Sequence, residues 1–283
     1  MTDNVKVVAR EKISDNGEKK TLFGFKRNQL CIPYGVFLAL FVVFPLLLIV
    51  YYAFTDKNGV FTFYNFIDFF TTTSSVSNLI ISIAIGLITT LVCLVIAYPV
   101  AYILSRFKSA RSYILVMLFV MPMWINFVLR AMALKELLSL IGVFGEYNYL
   151  NTIIGMVYDF LPFMILPLYT TLIKMDKSLE EAAGDLGANG IRVFAKVTLP
   201  LSMPGIASGA TMVFLPSMSC YVITDTFGNG KVPLIGKLIE EQFGTAANWN
   251  FGSAIAIIML LVMFISMIAT GGFKSENVRG NAI

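Results

Sequence analysis

Residues 79–105 read LIISIAIGLITTLVCLVIAYPVAYILS, a stretch without a single Asp, Glu, Lys or Arg. A helix rises about 1.5 Å per residue and needs about 20 apolar residues to cross a hydrocarbon core roughly 30 Å thick. This stretch exceeds that length, and soluble core helices rarely stay uncharged for so long. Five more segments meet the same requirement. Residues 32–54 lie upstream. Downstream are 112–129, ending against Arg130, then 150–173 with Asp159 as its single charge, 204–224 and 251–273. The sequence therefore predicts an all-α integral membrane protein with six transmembrane helices. Composition agrees: 57% of the 283 residues are hydrophobic and 13% are charged, against roughly 25% charged in soluble domains.

Six crossings sort the basic residues. Sixteen of the 21 Lys and Arg fall on one side. They occupy residues 1–31, the loop after the second span (Arg106, Lys108, Arg111), the loop after the fourth (Lys174, Lys177, Arg192, Lys196) and the tail (Lys274, Arg279). The other side holds Lys57, Arg130, Lys135, Lys231 and Lys237. Positive charge stays inside, so both termini are expected in the cytoplasm. The net charge of +4 is then a topology signal, not a nucleic-acid footprint. Residues 1–31 form a basic cytoplasmic tail, 32–273 the membrane domain and 274–283 a second cytoplasmic tail. The first 30 residues lack the apolar core and cleavage site of a removed signal peptide, and residues 16–20 read as partly disordered. The chain has no histidine, which excludes Ser-His-Asp and Cys-His catalysis and most zinc sites. Cys31, Cys93 and Cys220 stand far apart and read as small packing residues.

The loop 174–203 is long for a cytoplasmic connection and has structure of its own. Ser178-Leu179-Glu180-Glu181 has the S-x-x-E form of a capping box, so a short helix is expected to begin there and run through Ala182 and Ala183. Gly187, followed by Asn189 and Gly190, offers left-handed conformations that end it. A second helix, 191–198, is expected to stop at Pro200. Held at the membrane surface, such a pair is either a rigid knob that another protein grips or an ordinary surface helix pair.

Glu181-Ala182-Ala183, then Gly187, Val197 and Leu199-Pro200 at fixed spacing, resemble the E-A-A-x3-G-x9-[IV]-x-L-P loop of type I ABC importer permeases. Val197 stands where that family more often has Ile. The resemblance implies the MetI-like permease fold in the cytoplasmic (inner) membrane of a bacterium, with this loop as the coupling helix that docks into a separate ATPase. Further stretches, among them Pro122–Arg130, Leu161-Pro162-Phe163-Met164, Ile239–Phe243 and Asn248-Trp249, are similar to the spermidine/putrescine permeases of the PotB type. By that resemblance the partners are a second, homologous permease (PotC-like), an ATPase dimer (PotA-like) and an extracytoplasmic polyamine-binding protein (PotD-like). ATP and magnesium belong to the ATPase, and no cofactor is expected on this chain. Residues 230–237 have a faint look of a phosphate loop, but Leu238 stands where Ser or Thr is needed.

A charge retained inside a span calls for an explanation. Asp159 lies about 14 Å below the outer end of span four, and Trp124 about 9 Å below Arg130 on span three, at 1.5 Å per residue. Span five delivers Tyr221 and Asp225 to the same outer half. Trp124, Tyr158, Asp159, Tyr221 and Asp225 are thus candidate pathway residues, since carboxylates and aromatic faces suit an elongated polycation. Other roles stay open: Asp225 as a structural partner of Arg130, and Trp124 as an interfacial anchor. Pro99, Pro122, Pro162, Pro167 and Pro216 interrupt the spans as kinks or hinges. Val232, Ile235, Ile239 and Phe243 recur at helical spacing and predict an amphipathic helix, either lying on the outer surface or packed as a lid on the bundle. Alternatives to a polyamine permease are a type I permease for another small solute, an ion-coupled carrier acting alone, and an intramembrane aspartyl protease in which Tyr158-Asp159 supplies the first catalytic pair.

Overall fold

The first span comes as two helices joined through a wide turn. In the computed structural model, which describes residues 27–107, 110–142 and 147–269, α1 (Arg27–Leu38) leads through a π-helical turn, Ala39–Val43, into α2 (Phe44–Ala53). A short helix α3 (Tyr64–Thr71) precedes α4 (Thr73–Arg106), the second span. Next come α5 (Ala110–Val120), a 3-10 turn at Met121–Trp124 and α6 (Phe127–Leu140). The fourth span is α7 (Asn148–Ile173). The loop after it holds α8 (Ser178–Asp185) and α9 (Gly190–Val193), and a second π turn, Phe194–Thr198, leads into α10 (Leu199–Ser219). The chain ends in α11 (Tyr221–Phe227), α12 (Ile235–Phe243) and α13 (Trp249–Ala269). Among the described residues five helices are long and apolar enough to cross a membrane, six if the bent pair α5–α6 counts as one span. The chain divides into two units inside the first span, at Leu48 and Ile49. The basic tail through residue 26 and the C-terminal tail lie outside the described residues.

Helices α4, α7 and α10 build the core of the second unit. Cys93, Ala97 and Ala101 of α4 are buried with Met164, Ile165 and Leu168 of α7 and Val213 of α10. Within a membrane, apolar burial gives helices no advantage over lipid, so close backbone approach must supply the packing. Gly209 provides it, since a Cβ there would lie 2.6 Å from Met164 Sδ. Gly205 does the same, with Thr171 Oγ1 at 2.7 Å. The outward face of α4, with Leu87, Leu91 and Val95, stays exposed and is left for lipid or another chain.

Two expectations about the spans are corrected. Residues 112–129 do not form one straight helix: α5 and α6 meet at 98°. Pro122 brings no N–H to the helix ladder, and the Asn126 side chain accepts the N–H groups of Val128 and Leu129, which starts a new helix there. Span five does not run 204–224 either. It reaches back continuously to Gly190 and stops at Ser219, with Cys220 at ψ 82° redirecting the chain into α11. Pro200 therefore does not end the second loop helix. Both π turns stand directly before an X-Pro pair, Phe44-Pro45 and Leu199-Pro200. In each, the N–H ahead of the proline reaches back five residues, Phe44 to Ala39 and Leu199 to Phe194. The wider turn makes room for a ring that would press on the carbonyl four residues back.

The stripe from Val232 to Phe243 is a lid. Val232, Leu234 and Ile235 are buried, the Ile235 N–H donates to Ser82 Oγ of α4 at 2.7 Å, and Ile235 packs with Met218, Ile255 and Met259. Gly236 lies so close to the end of α10 that a Cβ would sit 2.1 Å from Ser219 O. In the first turn of α3 the side-chain amide of Asn65 donates to the carbonyls of Ala53 and Thr55, and in the first turn of α13 that of Asn250 donates to the carbonyls of Tyr52 and Thr55. These bonds satisfy the terminal carbonyls that a helix leaves free.

Candidate functional site

The loop 174–203 folds into the expected pair of helical pieces with a different start. Ser178 is not the cap. Its backbone N–H donates to Asp176 Oδ1 at 2.9 Å, and Lys177 precedes the helix without a side-chain cap. The Ser178 N–H bonds the carboxylate of Asp176 more strongly than the neutral acid, which lowers its pKa from the ordinary aspartate value. The box therefore gives way to a cap two residues earlier. Gly187 adopts φ +83° and closes α8, the left-handed conformation expected of it. Asn189 then caps α9 by accepting the Arg192 N–H. Leu186 is 90% exposed and Ile191 80%, so the turn carries two apolar side chains outward. Glu181 and Ala182 are exposed as well.

Glu180, the neighbour of the motif glutamate, anchors the knob from beneath. It forms an ion pair with Arg106 at the end of α4. It also accepts the hydroxyl of Thr198, a buried residue in the π turn that opens α10, at 2.7 Å. Arg106 lies over the Tyr102 ring, 4.6 Å from its centroid, and donates to the Tyr102 hydroxyl at 2.9 Å. Tyr98, one turn further in, bonds Ser202 of α10 at 2.9 Å and meets the Phe194 ring edge-on. A single carboxylate thus joins the loop helix to the ends of spans two and five. Sequence reasoning passed over Glu180, Arg106 and Thr198. The available signal was an arginine closing a long apolar span beside tyrosines at i and i+4.

The five candidate pathway residues do not form one cluster. Asp159 is 1% exposed and pairs with Arg130, whose Nε donates to Asp159 Oδ1 at 2.5 Å. Arg130 also donates to the carbonyl of Pro122 at 2.9 Å, next to the break that the proline causes, and its charge lies 5.8 Å from the Tyr158 ring centroid. Asp225 does not pair with Arg130. It binds Lys237 of α12 at 3.0 Å, which also bonds Glu240 and lies 5.7 Å from the Tyr221 ring centroid. Trp124 is 86% exposed on the 3-10 turn. Asp159 alone of the five lines the cavity of about 340 Å³ bounded by Met123, Phe127, Arg130, Phe160, Phe163, Pro216, Ser219 and Cys220. The aspartates occupy separate ion pairs, whereas an aspartyl protease needs two carboxylates sharing a proton. Among the described residues no His, Cys, Asp or Glu group has the makings of a metal site.

A transporter reading agrees with known proteins. The family model "Binding-protein-dependent transport system inner membrane component" matches residues 97–274, more than half of the chain. The chain belongs to this family. Its relatives include the "Spermidine/putrescine transport system permease protein PotB" of Haemophilus influenzae, 37% identical over 256 residues, or 81% of this chain and 88% of that protein. The Escherichia coli protein of the same name is 38% identical over 202 residues, 66% of this chain and 74% of its own. Among solved structures, a bacterial alginate ABC transporter in complex with an alginate pentasaccharide-bound periplasmic protein contains a chain that matches with a TM-score of 0.70. That match covers 90% of this chain and 96% of the other at 14% identity, a likeness of fold alone. The interval shared with the inner membrane components holds the knob, its anchor at Arg106, and the Arg130–Asp159 pair.

Proposed function

We propose that this chain is the membrane permease subunit of an ATP-driven importer for polyamines, spermidine or putrescine, and forms half of the translocation pathway. The observation that carries the reading is the knob of α8 and α9. Glu181, Ala182, Ala183 and Gly187 stand in order on α8 and the turn that closes it, and Val197, Leu199 and Pro200 follow in the π turn and the start of α10; the loop shows apolar side chains outward and is tied by Glu180 to two spans. Such an element transmits a push from a docked protein, because a rigid body joined to packed helices moves them together. Identity of 37% along most of a PotB protein supports the polyamine substrate.

The partners are a second homologous permease, an ATPase dimer that carries ATP and magnesium, and an external polyamine-binding protein. Both termini face the cytoplasm, with the knob on the same side. Tyr158 and Asp159 around Arg130, Tyr221 and Asp225 around Lys237, and Trp124 by itself on the exposed 3-10 turn are pathway residues. The test is purification of the chain with the ATPase it retains, followed by reconstitution into liposomes. Spermidine together with its binding protein is expected to raise ATP turnover and to be taken up. Gly187→Val and Glu181→Lys are expected to abolish both and to leave the spans folded. Undiminished uptake in either variant would refute the coupling role, and stimulation by another solute class alone would refute the polyamine reading.

A further inference from the structure

The cavity beside the Arg130–Asp159 pair contains an unfilled bond. Arg130 takes Asp159 Oδ1, yet Asp159 Oδ2 is buried and has no hydrogen-bond partner. A buried carboxylate oxygen without a donor is costly and calls for a missing partner. Asp159 lines a cavity of about 340 Å³, a volume within the usual range of small-molecule sites. Phe127, Phe160 and Phe163 are among the residues that line it. The group that completes such a site must donate, because a carboxylate only accepts. Aromatic faces favour a donor that also carries positive charge.

We propose that this cavity is an ammonium site. The free oxygen of Asp159 accepts an N–H of a primary alkylammonium group, whose charge rests against the phenylalanine rings while its alkyl chain lies along Met123 and Pro216. The proposal rests on the polyamine reading for the identity of the alkylammonium, and on this chain's geometry for the site. Arg130 has a second part in it. A lone buried carboxylate would hold a cation tightly, whereas a pathway must release what it binds. With Arg130 on the other oxygen the carboxylate is already neutralised, so the ligand gains one charge-assisted hydrogen bond and ring contacts and passes on.

Cys220 also lines the cavity and serves as a reporter. The assembled complex is treated with methanethiosulfonates bearing an aminoethyl, an ethyl or a sulfonatoethyl group, and modification of Cys220 is followed by peptide mass spectrometry. The aminoethyl reagent is expected to react about tenfold faster than the ethyl one, the gain from one hydrogen bond to a charged group, and the sulfonate slowest. Spermidine slows the aminoethyl reaction, and Asp159→Asn, which leaves the Arg130 charge uncompensated in the cavity, abolishes the aminoethyl preference in favour of the sulfonate. Phe163→Leu, which keeps the wall apolar and removes a ring, reduces the preference and stands in if the Asp159 variant fails to assemble. Equal rates for the cationic and neutral reagents, or a preference unchanged in these variants, overturn the site. If spermidine is imported while the rates are equal, the site falls and the polyamine function stands. If the preference depends on Asp159 but spermidine neither protects nor is imported, the ammonium site stands and the substrate reading falls.

Discussion

Removing Glu180 should loosen the knob without unfolding the bundle, by an amount its surroundings set. Its side chain is 11% exposed and that of Arg106 34%. Exposed pairs contribute about 0.2–1 kcal/mol and breaking a fully buried one costs about 3–5. With Arg106 a third exposed and screened, about 1–2 kcal/mol is the reasonable figure. Glu180→Gln forfeits this and keeps an acceptor for Thr198. Glu180→Ala also strands the Thr198 hydroxyl, a buried group whose desolvation costs about 1–3 kcal/mol. Amide hydrogen exchange of α8 reads local opening directly. The Gln variant should speed exchange about tenfold and the Ala variant about a hundredfold, at about 1.4 kcal/mol per decade. The amides of α7, buried in the core, should not change. Arg106→Gln should match Glu180→Gln, and the double variant should be no faster than either alone, because both remove the same interaction. Multiplied effects in the double variant, or unchanged exchange in Glu180→Ala, would refute the claim that one carboxylate holds the knob to the spans.

Three further outcomes test other parts of the structure. Gly236→Ala should lower the melting temperature of the purified complex well beyond Gly209→Ala, since its new Cβ meets the Ser219 backbone carbonyl at 2.1 Å whereas Gly209 meets the movable end of Met164; overpacking of this kind costs about 1–3 kcal/mol, and equal melting would contradict the packing of the lid. Asp176 has a depressed pKa because it holds the Ser178 N–H. Its contribution to the start of α8 is therefore complete above the ordinary aspartate range and lost as pH falls through the lower folded value, so α8 exchange corrected for intrinsic chemistry should rise only below about pH 4 and lose that step in Asp176→Asn. Arg130→Met should cost about 3–5 kcal/mol by leaving Asp159 unpaired, and adding Asp159→Leu should restore much of the assembled yield; a double variant as unstable as the single would show that the pair is not what the site needs.

The spans were legible because lipid admits so few solutions: long uncharged runs have to be helices. The loop was legible through Gly187, whose position demands a left-handed residue, and through the fixed spacing that follows it. The breaks were less so. Pro122 ends a helix and Pro200 does not, although each is a proline within an apolar stretch. The difference lies in what the surroundings supply: at Asn126 a side chain captures the next free N–H groups, and at Phe194–Thr198 the backbone widens into a π turn. Neither is written into local hydropathy.

Which charge meets which was decided by tertiary structure alone. The sequence offers Asp225 as a partner for Arg130 and leaves Asp159 without one, whereas the fold joins Arg130 to Asp159 and Asp225 to Lys237. Glu180 and Glu181 are adjacent in sequence, yet a helix turns by about 100° per residue, so one faces the spans and the other the surface. Sequence by itself determined the solvent, the class of fold and the place of the knob, because those follow from hydrophobic length and backbone demands. The pairing of buried charges follows from how helices cross, and that exists only once the chain has folded.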